Sequence, residues 1–345
     1  MERRKFLGLM SFGSAAAVLG GSVAWRLRSG NIPPTNIAPT NVPQTNIVTS
    51  VKDAPIEAAI EAVFDDMPTS SAQMSAAVQQ MLGPAPDRLR YLTEFSETNR
   101  LVPAGDDLAR YLNKMSNFEH FHDEDVFLAN DQRPLLAESF KRIDRVQSLV
   151  GHGNFNVLGF DDMLRHAEQY ESVGAFTKPE LNFLEGLFFD DVERYGFMGE
   201  KVIDSLTAVV SERDRKKISH TGHFLFKGRS EEIYSKIRRD VGDSIVLTSG
   251  IRGIVKQTHL FLAKTIQSEG NLSLASRSLA PPGHSFHGVG DFDVGKVGLG
   301  ARNFTADFSS TDEFRKLVDL GYLDIRYPEK NLLGVRYEPW HIKVV

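Results

Sequence analysis

The sequence contains no cysteine among its 345 residues. This absence excludes a disulfide-bonded scaffold and is neutral on the cellular compartment. It also excludes thiolate ligands, so any zinc site in this chain must be built from histidine and carboxylate side chains. The chain also has no excess of positive charge, because 40 basic and 45 acidic residues give a net charge of −5. We therefore expect no nucleic-acid partner.

The length predicts one or two domains, and the apolar (41%) and charged (25%) fractions are normal for a soluble globular protein. We divide the chain into four parts by its composition. They are a signal or anchor at 1–28, a linker at 29–50, a helical N-terminal region at 51–134 and a C-terminal domain at 135–345.

The first part has the features of an export signal. The pair Arg3-Arg4 precedes a mildly apolar run over residues 6–25, which is typical of the twin-arginine export route. Residues 22–24 (Ser-Val-Ala) could serve as a small-residue cleavage site, but Arg26 and Arg28 directly after it are unusual for cleavage. The run is close to the length that spans a bilayer, so an uncleaved membrane anchor is the alternative. We expect delivery by the twin-arginine machinery to the periplasm or another extracytoplasmic location.

The next two parts lead up to the C-terminal domain. Residues 29–50 repeat Pro-Thr-Asn, with too much proline for a helix and too little apolar surface for a core, which indicates an extended linker. Apolar residues of 51–134 recur at helical spacing, so this region should be helical and pack on the following domain or precede it. Residues 119–123 (Glu-His-Phe-His-Asp) are interpreted as a loop, because no matching downstream metal ligands are evident.

Two motifs near the end of the sequence carry chemistry. Residues 285–293 read Ser-Phe-His-Gly-Val-Gly-Asp-Phe-Asp, and residues 338–341 read Glu-Pro-Trp-His. Together they supply two histidines, an aspartate and a separate glutamate. A hydrolytic zinc site needs three protein ligands, an open position for water and a nearby carboxylate that takes the proton of the water. The two motifs therefore predict such a site.

These motifs resemble those of the LAS zinc peptidases, and within them the VanY-like D-alanyl-D-alanine carboxypeptidases. That family carries Ser-x-His-x-x-Gly-x-Ala-x-Asp, followed near the C-terminus by Glu-Pro-Trp-His. Residues 248–252 (Thr-Ser-Gly-Ile-Arg), followed by Gln257, resemble the Ser-Gly-Tyr-Arg-Ser segment of the family. The resemblance covers residues 220–345 and, more loosely, 140–220.

The resemblance implies a role for each matching residue. The zinc ligands would be His287, Asp293 and His341. Glu338 would be the general base, and Arg252 would stabilise the developing oxyanion or hold a substrate carboxylate. Three further residues are implied to bind the substrate, with an ordinary structural role as the alternative for each: Ser285, Gln257 and Trp340.

One spacing departs from the family pattern. Five residues separate His287 from Asp293, where the family has six. Asp291 is therefore a rival ligand, because residues two apart on a strand face the same side. We prefer Asp293, since the apolar Val294 follows it as an apolar residue follows the aspartate of the family.

The pattern of the C-terminal domain is mixed. Helices are predicted at 136–149, 160–171, 178–188, 198–212 and 254–268, and strands at 244–248, 284–295, 322–326 and 334–344. This implies an α+β fold with a small, mostly antiparallel sheet flanked by helices, in agreement with the hedgehog/DD-peptidase-like fold of the family. Residues 220–223 (His-Thr-Gly-His) are interpreted as a loop, with a contribution to the substrate cleft as the alternative.

The resemblance implies peptidoglycan stem peptides as the substrate. Removal of a terminal D-alanine by a D-Ala-D-Ala carboxypeptidase is the first expectation, and an endopeptidase cutting within the stem or cross-link is the second. A non-catalytic cell-wall-binding protein is a third, but such a protein has no need of the base Glu338.

Overall fold

The computed structural model describes residues 106–345. The signal or anchor, the linker and residues 51–105 of the predicted helical region lie outside this range. Within it, no helix combines the length and the apolar character that crossing a bilayer requires.

Helices and short strands alternate along the described part of the chain. The helices are α1 (Asp106–Ser116), α2 (Arg133–Val150), α3 (His152–Phe155), α4 (Phe160–Gln169), α5 (Lys178–Phe188), α6 (Arg229–Val241), α7 (Ile254–Gln267), α8 (Leu272–Ser278) and α9 (Asp312–Asp319). The strands are β1 (Arg215–Lys217), β2 (Phe224–Phe226), β3 (Ile245–Ser249), β4 (Phe292–Lys296) and β5 (His341–Ile342).

The helices α2 and α7 form the centre of the helical layer. Phe140, Ile143 and Val146 of α2 are fully buried, and their spacing puts them on one face of the helix. This face packs on α7, whose residues are nearly all buried. A capping box at Thr177 and Glu180 fixes the start of α5, which packs on α2 from another side.

The strands β3, β4 and β5 form an antiparallel sheet in that order. Its apolar residues join those of α6 and α9 in one buried cluster, which includes Leu247, Val294, Ile342, Ile237 and Leu317. The sheet has two irregularities. The pairing of β3 with β4 skips a residue between Leu247 and Ser249, and β5 has only two residues.

The β1–β2 hairpin lies beside the end of β3. The backbone N–H of Ile251 donates a hydrogen bond of 2.7 Å to the carbonyl of Phe224. A Cβ on Gly250 would lie 2.0 Å from that same carbonyl oxygen, so only glycine permits this approach. The contact fixes residues 249–252 at the sheet edge.

The predicted α+β class is confirmed by these elements. Four predicted helices, at 136–149, 160–171, 178–188 and 254–268, correspond to α2, α4, α5 and α7, and the strand at 244–248 corresponds to β3.

The prediction of a helix at 198–212 is wrong. Residues 198–211 form an extended loop, and a single 3-10 turn follows at Glu212–Asp214. The physical reason is tertiary, because the backbone N–H groups of Val202 and Ile203 both donate to the carbonyl of Gly283, at 2.9 and 3.0 Å.

Three predicted strands are also much shorter than expected. The predicted strand at 284–295 overlaps only β4 (Phe292–Lys296), and that at 334–344 overlaps only β5 (His341–Ile342). Residues 322–326 contribute one isolated bridge, between Ile325 and Ile342.

The described end of the predicted helical region is only partly helical. The helix α1 ends at Ser116, and residues 117–129 form the predicted loop around 119–123. Arg277 of α8 donates to the carbonyls of Phe118 and His120, which holds this loop in a non-helical conformation. The helix α2 starts at Arg133 and so crosses the boundary predicted after residue 134.

Candidate metal centre

His287 lies on a short 3-10 turn, Phe286–Gly288, and is almost completely buried. Its Nδ1 lies 2.8 Å from the carbonyl oxygen of Gly250. Because a carbonyl only accepts, Nδ1 must carry the proton, and the lone pair is left on Nε2. That nitrogen lies 3.2 Å from Oδ1 of Asp293. The glycine at the end of β3 thus selects the tautomer of His287.

Asp293 and His341 are direct cross-strand partners on β4 and β5. Both are buried, and Asp293 is fully so. The Nδ1 atom of His341 lies 3.3 Å from Oδ1 of Asp293, while its Nε2 lies 3.1 Å from Oδ2 of Asp291. The imidazole of His341 is therefore placed between two carboxylates.

The three predicted ligand residues converge. One donor atom each from His287, Asp293 and His341 lies within 4.8 Å of the others, and no second such group of histidine and carboxylate donors occurs in residues 106–345. The buried atoms Nε2 of His287 and Oδ1 of Asp293 make no hydrogen bond of acceptable geometry, despite their 3.2 Å separation. Buried polar atoms are nearly always paired, so the lack of a hydrogen-bond partner at these two atoms needs an explanation. Two imidazoles and a carboxylate are a donor set that suits Zn²⁺, and the residues fit that ion.

Burial and neighbouring charges act in opposite directions on the pKa values of Asp293 and His341. Burial raises the pKa of Asp293, but His287 and Arg252 outweigh this effect and hold the pKa well below its usual range. Burial and the positive charge of Arg252 lower the pKa of His287 to about 4. For His341 burial also lowers the pKa, yet the carboxylates of Asp291 and Asp293 outweigh this effect and raise the pKa to about 9. The carboxylate and the Nε2 lone pair of His287 are thus both available at neutral pH.

Glu338 lies at the edge of this cluster. Its Oε2 is 3.6 Å from Nδ1 of His341, and only 9% of the residue is exposed. Burial raises its pKa to about 7, although the nearby His341 and Arg336 act in the opposite sense. The two residues can face one point because the chain turns between them, with the N–H of His341 donating to the carbonyl of Glu338. A carboxyl group that titrates near neutral pH is suited to accept and return a proton.

Arg252 also lies at the site. Its Nε donates to Oγ of Ser249 at 2.8 Å, and its NH2 group donates to Oδ2 of Asp293 at 2.5 Å. The guanidinium is therefore anchored on the oxygen of Asp293 that faces away from the histidines. Its implied role toward the substrate stays a prediction.

The three residues implied to bind the substrate have different surroundings. Trp340 is 3% exposed and belongs to the apolar cluster under the sheet, with its ring centroid 6.0 Å from that of Phe304, and its implied contact with the substrate stays a prediction. The amide of Gln257 is buried and donates to the carbonyl of Ala280 at 2.6 Å, which is a structural contact. Ser285 is buried directly before the turn that carries His287.

The rival ligand Asp291 is not part of the converging group. It pairs with Arg326, at 2.7 Å from the Nε atom. Sequence reasoning missed Arg326 and the neighbouring Tyr327, whose ring centroid is 5.1 Å from that of His341. Neither belongs to a motif, and the only available signal was the predicted strand at 322–326.

His223 is the second residue of the His pair that was interpreted as a loop. It lies in the turn between β1 and β2, with Nδ1 3.3 Å from Nδ2 of Asn156. Burial, followed by the charge of Arg252, lowers its pKa to about 4. Its contribution to a substrate cleft stays a prediction.

Two histidines and an aspartate that converge beside a buried glutamate are an arrangement that metal-dependent hydrolases use. Residues 230–345 match the sequence model of the VanY family, D-alanyl-D-alanine carboxypeptidase. This C-terminal third of the chain is therefore a VanY-type domain. The resemblance that the motifs indicated is confirmed by this match.

Three solved structures show the range of similar chains. The LdcB LD-carboxypeptidase is 21% identical, with a TM-score of 0.33 over 45% of this chain and 78% of its own. VanYB in complex with D-alanine-D-alanine is 22% identical, with a TM-score of 0.32 over 44% and 86%. A variant of the vancomycin-resistance D,D-pentapeptidase VanY in complex with Zn(II) is 22% identical, with a TM-score of 0.30 over 42% and 86%. Comparison with curated proteins gives no significant match.

Proposed function

We propose that this protein is an exported zinc metallopeptidase that hydrolyses peptide bonds of peptidoglycan stem peptides, with the terminal D-Ala-D-Ala bond as its target. One observation carries the proposal: the donor atoms of His287, Asp293 and His341 converge within 4.8 Å, beside Glu338. The family match over 230–345 supports the substrate class.

The side chains of the site divide the chemistry among them. His287, Asp293 and His341 would hold the zinc ion, which when bound supplies a Lewis acid that lowers the pKa of water toward about 7. Glu338 takes the proton from the attacking water and returns it to the leaving amine. Arg252 offsets the negative charge that develops on the peptide carbonyl oxygen, a contribution of roughly 2.7–4 kcal/mol for a well-placed donor.

The test is mass spectrometry of defined muropeptides after incubation with the purified, zinc-loaded protein. We expect release of D-alanine from a pentapeptide stem. Glu338→Gln is the matched variant, because the amide is nearly isosteric but cannot accept the proton. It should retain zinc and fold, while turnover falls by about 10²–10⁴-fold, or roughly 3–5 kcal/mol in the barrier.

The alternatives give different products. Scission within the stem or cross-link, without loss of D-alanine, would identify an endopeptidase. Binding of zinc and cell wall without any cleavage would identify a non-catalytic binding protein. Turnover of Glu338→Gln close to that of the wild type would contradict the assignment of the base.

Export is the part of the proposal that rests on the N-terminal sequence alone. The pair Arg3-Arg4 before an apolar run supports the twin-arginine route, and these residues lie outside the described range. Replacing both arginines by lysine should keep a reporter fusion in the cytoplasm. Unchanged delivery of the fusion would contradict the twin-arginine route.

A further inference from the structure

Asp291 is a buried carboxylate whose two oxygens are fully engaged by donors. Its Oδ2 lies 2.7 Å from Nε of Arg326 and 3.1 Å from Nε2 of His341. Its Oδ1 accepts the backbone N–H of Val344 at 2.7 Å, with the N–H of Val345 and NH2 of Arg326 both at 3.3 Å. A carboxylate offers about four lone-pair sites. Five donors leave no room for a cation as well.

The contact with His341 determines which ring nitrogen carries the proton. A carboxylate paired with arginine only accepts, so Nε2 of His341 must donate to Asp291. The lone pair is then on Nδ1, the atom that faces Asp293 at 3.3 Å and Glu338 at 3.6 Å. The opposite tautomer would place a proton where the three donor atoms converge.

We propose that Asp291 is a positioning residue for the metal centre, which selects the tautomer and fixes the ring orientation of His341 without itself being a ligand. The inference rests on the proposed function in taking the bound cation to be zinc. A partner of this kind typically changes metal affinity by about 10–100-fold.

Arg326 extends this role to the second histidine. Its guanidinium lies 3.5 Å from the ring centroid of Phe286, the residue just before His287. The same guanidinium makes a two-point contact with Asp291. One cation therefore joins the turn of His287 to the carboxylate that orients His341.

The first experiment compares zinc affinities by competition with a chelator. We expect Asp291→Ala to bind zinc about 10–100-fold more weakly than the wild type. Asp291→Asn should lie between the two, because its amide oxygen still accepts from Nε2–H of His341, while its NH2 group replaces the oxygen that accepts from Val344. Asp293→Ala should lose more affinity than either. The control is Asp125→Ala, which also removes a buried carboxylate paired with arginine but does not touch the centre, and it should leave the affinity unchanged.

The second experiment reads the tautomer directly from ¹⁵N chemical shifts of labelled histidine. In the metal-free protein, at a pH where the spectrum shows a neutral ring for His341, we expect the wild type to carry the ring proton on Nε2, the atom that lies 3.1 Å from Oδ2 of Asp291. Asp291→Ala should show a mixture of tautomers, and Asp291→Asn should restore the single form.

Two results would overturn the inference. An affinity of Asp291→Ala equal to that of the wild type would show that Asp291 positions nothing. Loss of zinc from Asp291→Asn as complete as from Asp293→Ala would make Asp291 a ligand. If the wild type itself binds no zinc, the proposed function fails, while the tautomer measurement still decides the role of Asp291.

Discussion

Two buried aspartate clusters in this molecule differ in one respect, the pairing of their polar atoms. Asp125 receives Arg277 at two points, 2.7 and 3.0 Å, together with Lys114 at 3.0 Å and Asn271 at 2.8 Å. Around Asp293, by contrast, the carboxylate and a histidine nitrogen face each other without a hydrogen bond. The polar atoms around Asp125 are paired with one another, whereas Nε2 of His287 and Oδ1 of Asp293 are not, and both belong to the converging group of possible metal ligands.

The surroundings of the two clusters agree with this division. Arg277 also donates hydrogen bonds to the carbonyls of Phe118 and His120, so the Asp125 cluster holds the loop after α1 against α8. The Asp293 cluster has its one arginine, Arg252, on the far oxygen of the carboxylate. Substitutions in the first cluster should therefore reduce stability, and those in the second should remove zinc.

The largest expected effect is loss of the metal. The wild type should carry about one zinc per chain, because three protein ligands complete such a site. His287→Ala and His341→Ala should each remove it, as measured by metal analysis of the purified proteins. Asp125→Ala should keep its zinc. Full retention in both histidine variants would show that the Asp293 cluster is not a metal site.

The next effect concerns the Asp125 cluster. Arg277→Ala should lower the free energy of unfolding by about 3–5 kcal/mol, because it leaves a buried carboxylate without its main partner. Denaturant unfolding of the zinc-loaded protein measures this loss. Zinc content should be unchanged, and a parallel loss of zinc would mean that the two clusters are coupled rather than separate.

The smallest expected effect is on the pH dependence of stability, and it comes from His259, which has one paired and one unpaired ring nitrogen. Its ring is completely buried between Phe140 and Phe155, with Nε2 3.2 Å from Oδ1 of Asp144 and Nδ1 unpaired. Burial lowers its pKa, and the nearby Lys256 adds to this, although Asp144 acts against it.

The sign of the pH dependence follows from that lowered pKa. The unfolded chain binds the proton more readily, so the contribution of His259 is fully present above about pH 6.5 and is lost as the pH falls below it. The slope approaches about 1.4 kcal/mol per pH unit. His259→Gln should reduce the slope between pH 6.5 and 5, as measured by unfolding of the zinc-saturated protein. An unchanged slope would show that folding does not lower the pKa of His259.

The sequence predicted the site better than it predicted the strands around it. The helices α2 and α7 carry long apolar faces, and such periodicity is readable without tertiary information. The strands β4 and β5 are held by contacts between distant residues, such as Asp293 with His341, which periodicity cannot register. The same limitation explains why the prediction of a helix at 198–212 is wrong, because backbone N–H groups of this segment donate to the carbonyl of Gly283.

Within the site, motif order identified the converging donors and Glu338, but it could not rank the surrounding residues. Trp340 stands inside a motif, where a substrate contact and a place in the core are both open, and it packs in the apolar cluster under the sheet. Arg326 stands in no motif and still contacts Asp291. Motif membership reports a neighbourhood in sequence, whereas the contacts of a side chain depend on the direction in which the strand presents it.

The two-residue strand β5 has a consequence for how the site forms during folding. His341 meets Asp293 only when β5 pairs with β4 in one register, and a slip by one residue would turn the imidazole to the opposite face. The pairing joins residues about fifty positions apart, and contacts of such long range form late because the chain between them must first be ordered. Zinc binding would then stabilise the correct register of β5. Refolding with the ion present should therefore recover a larger fraction of active chains than refolding without it.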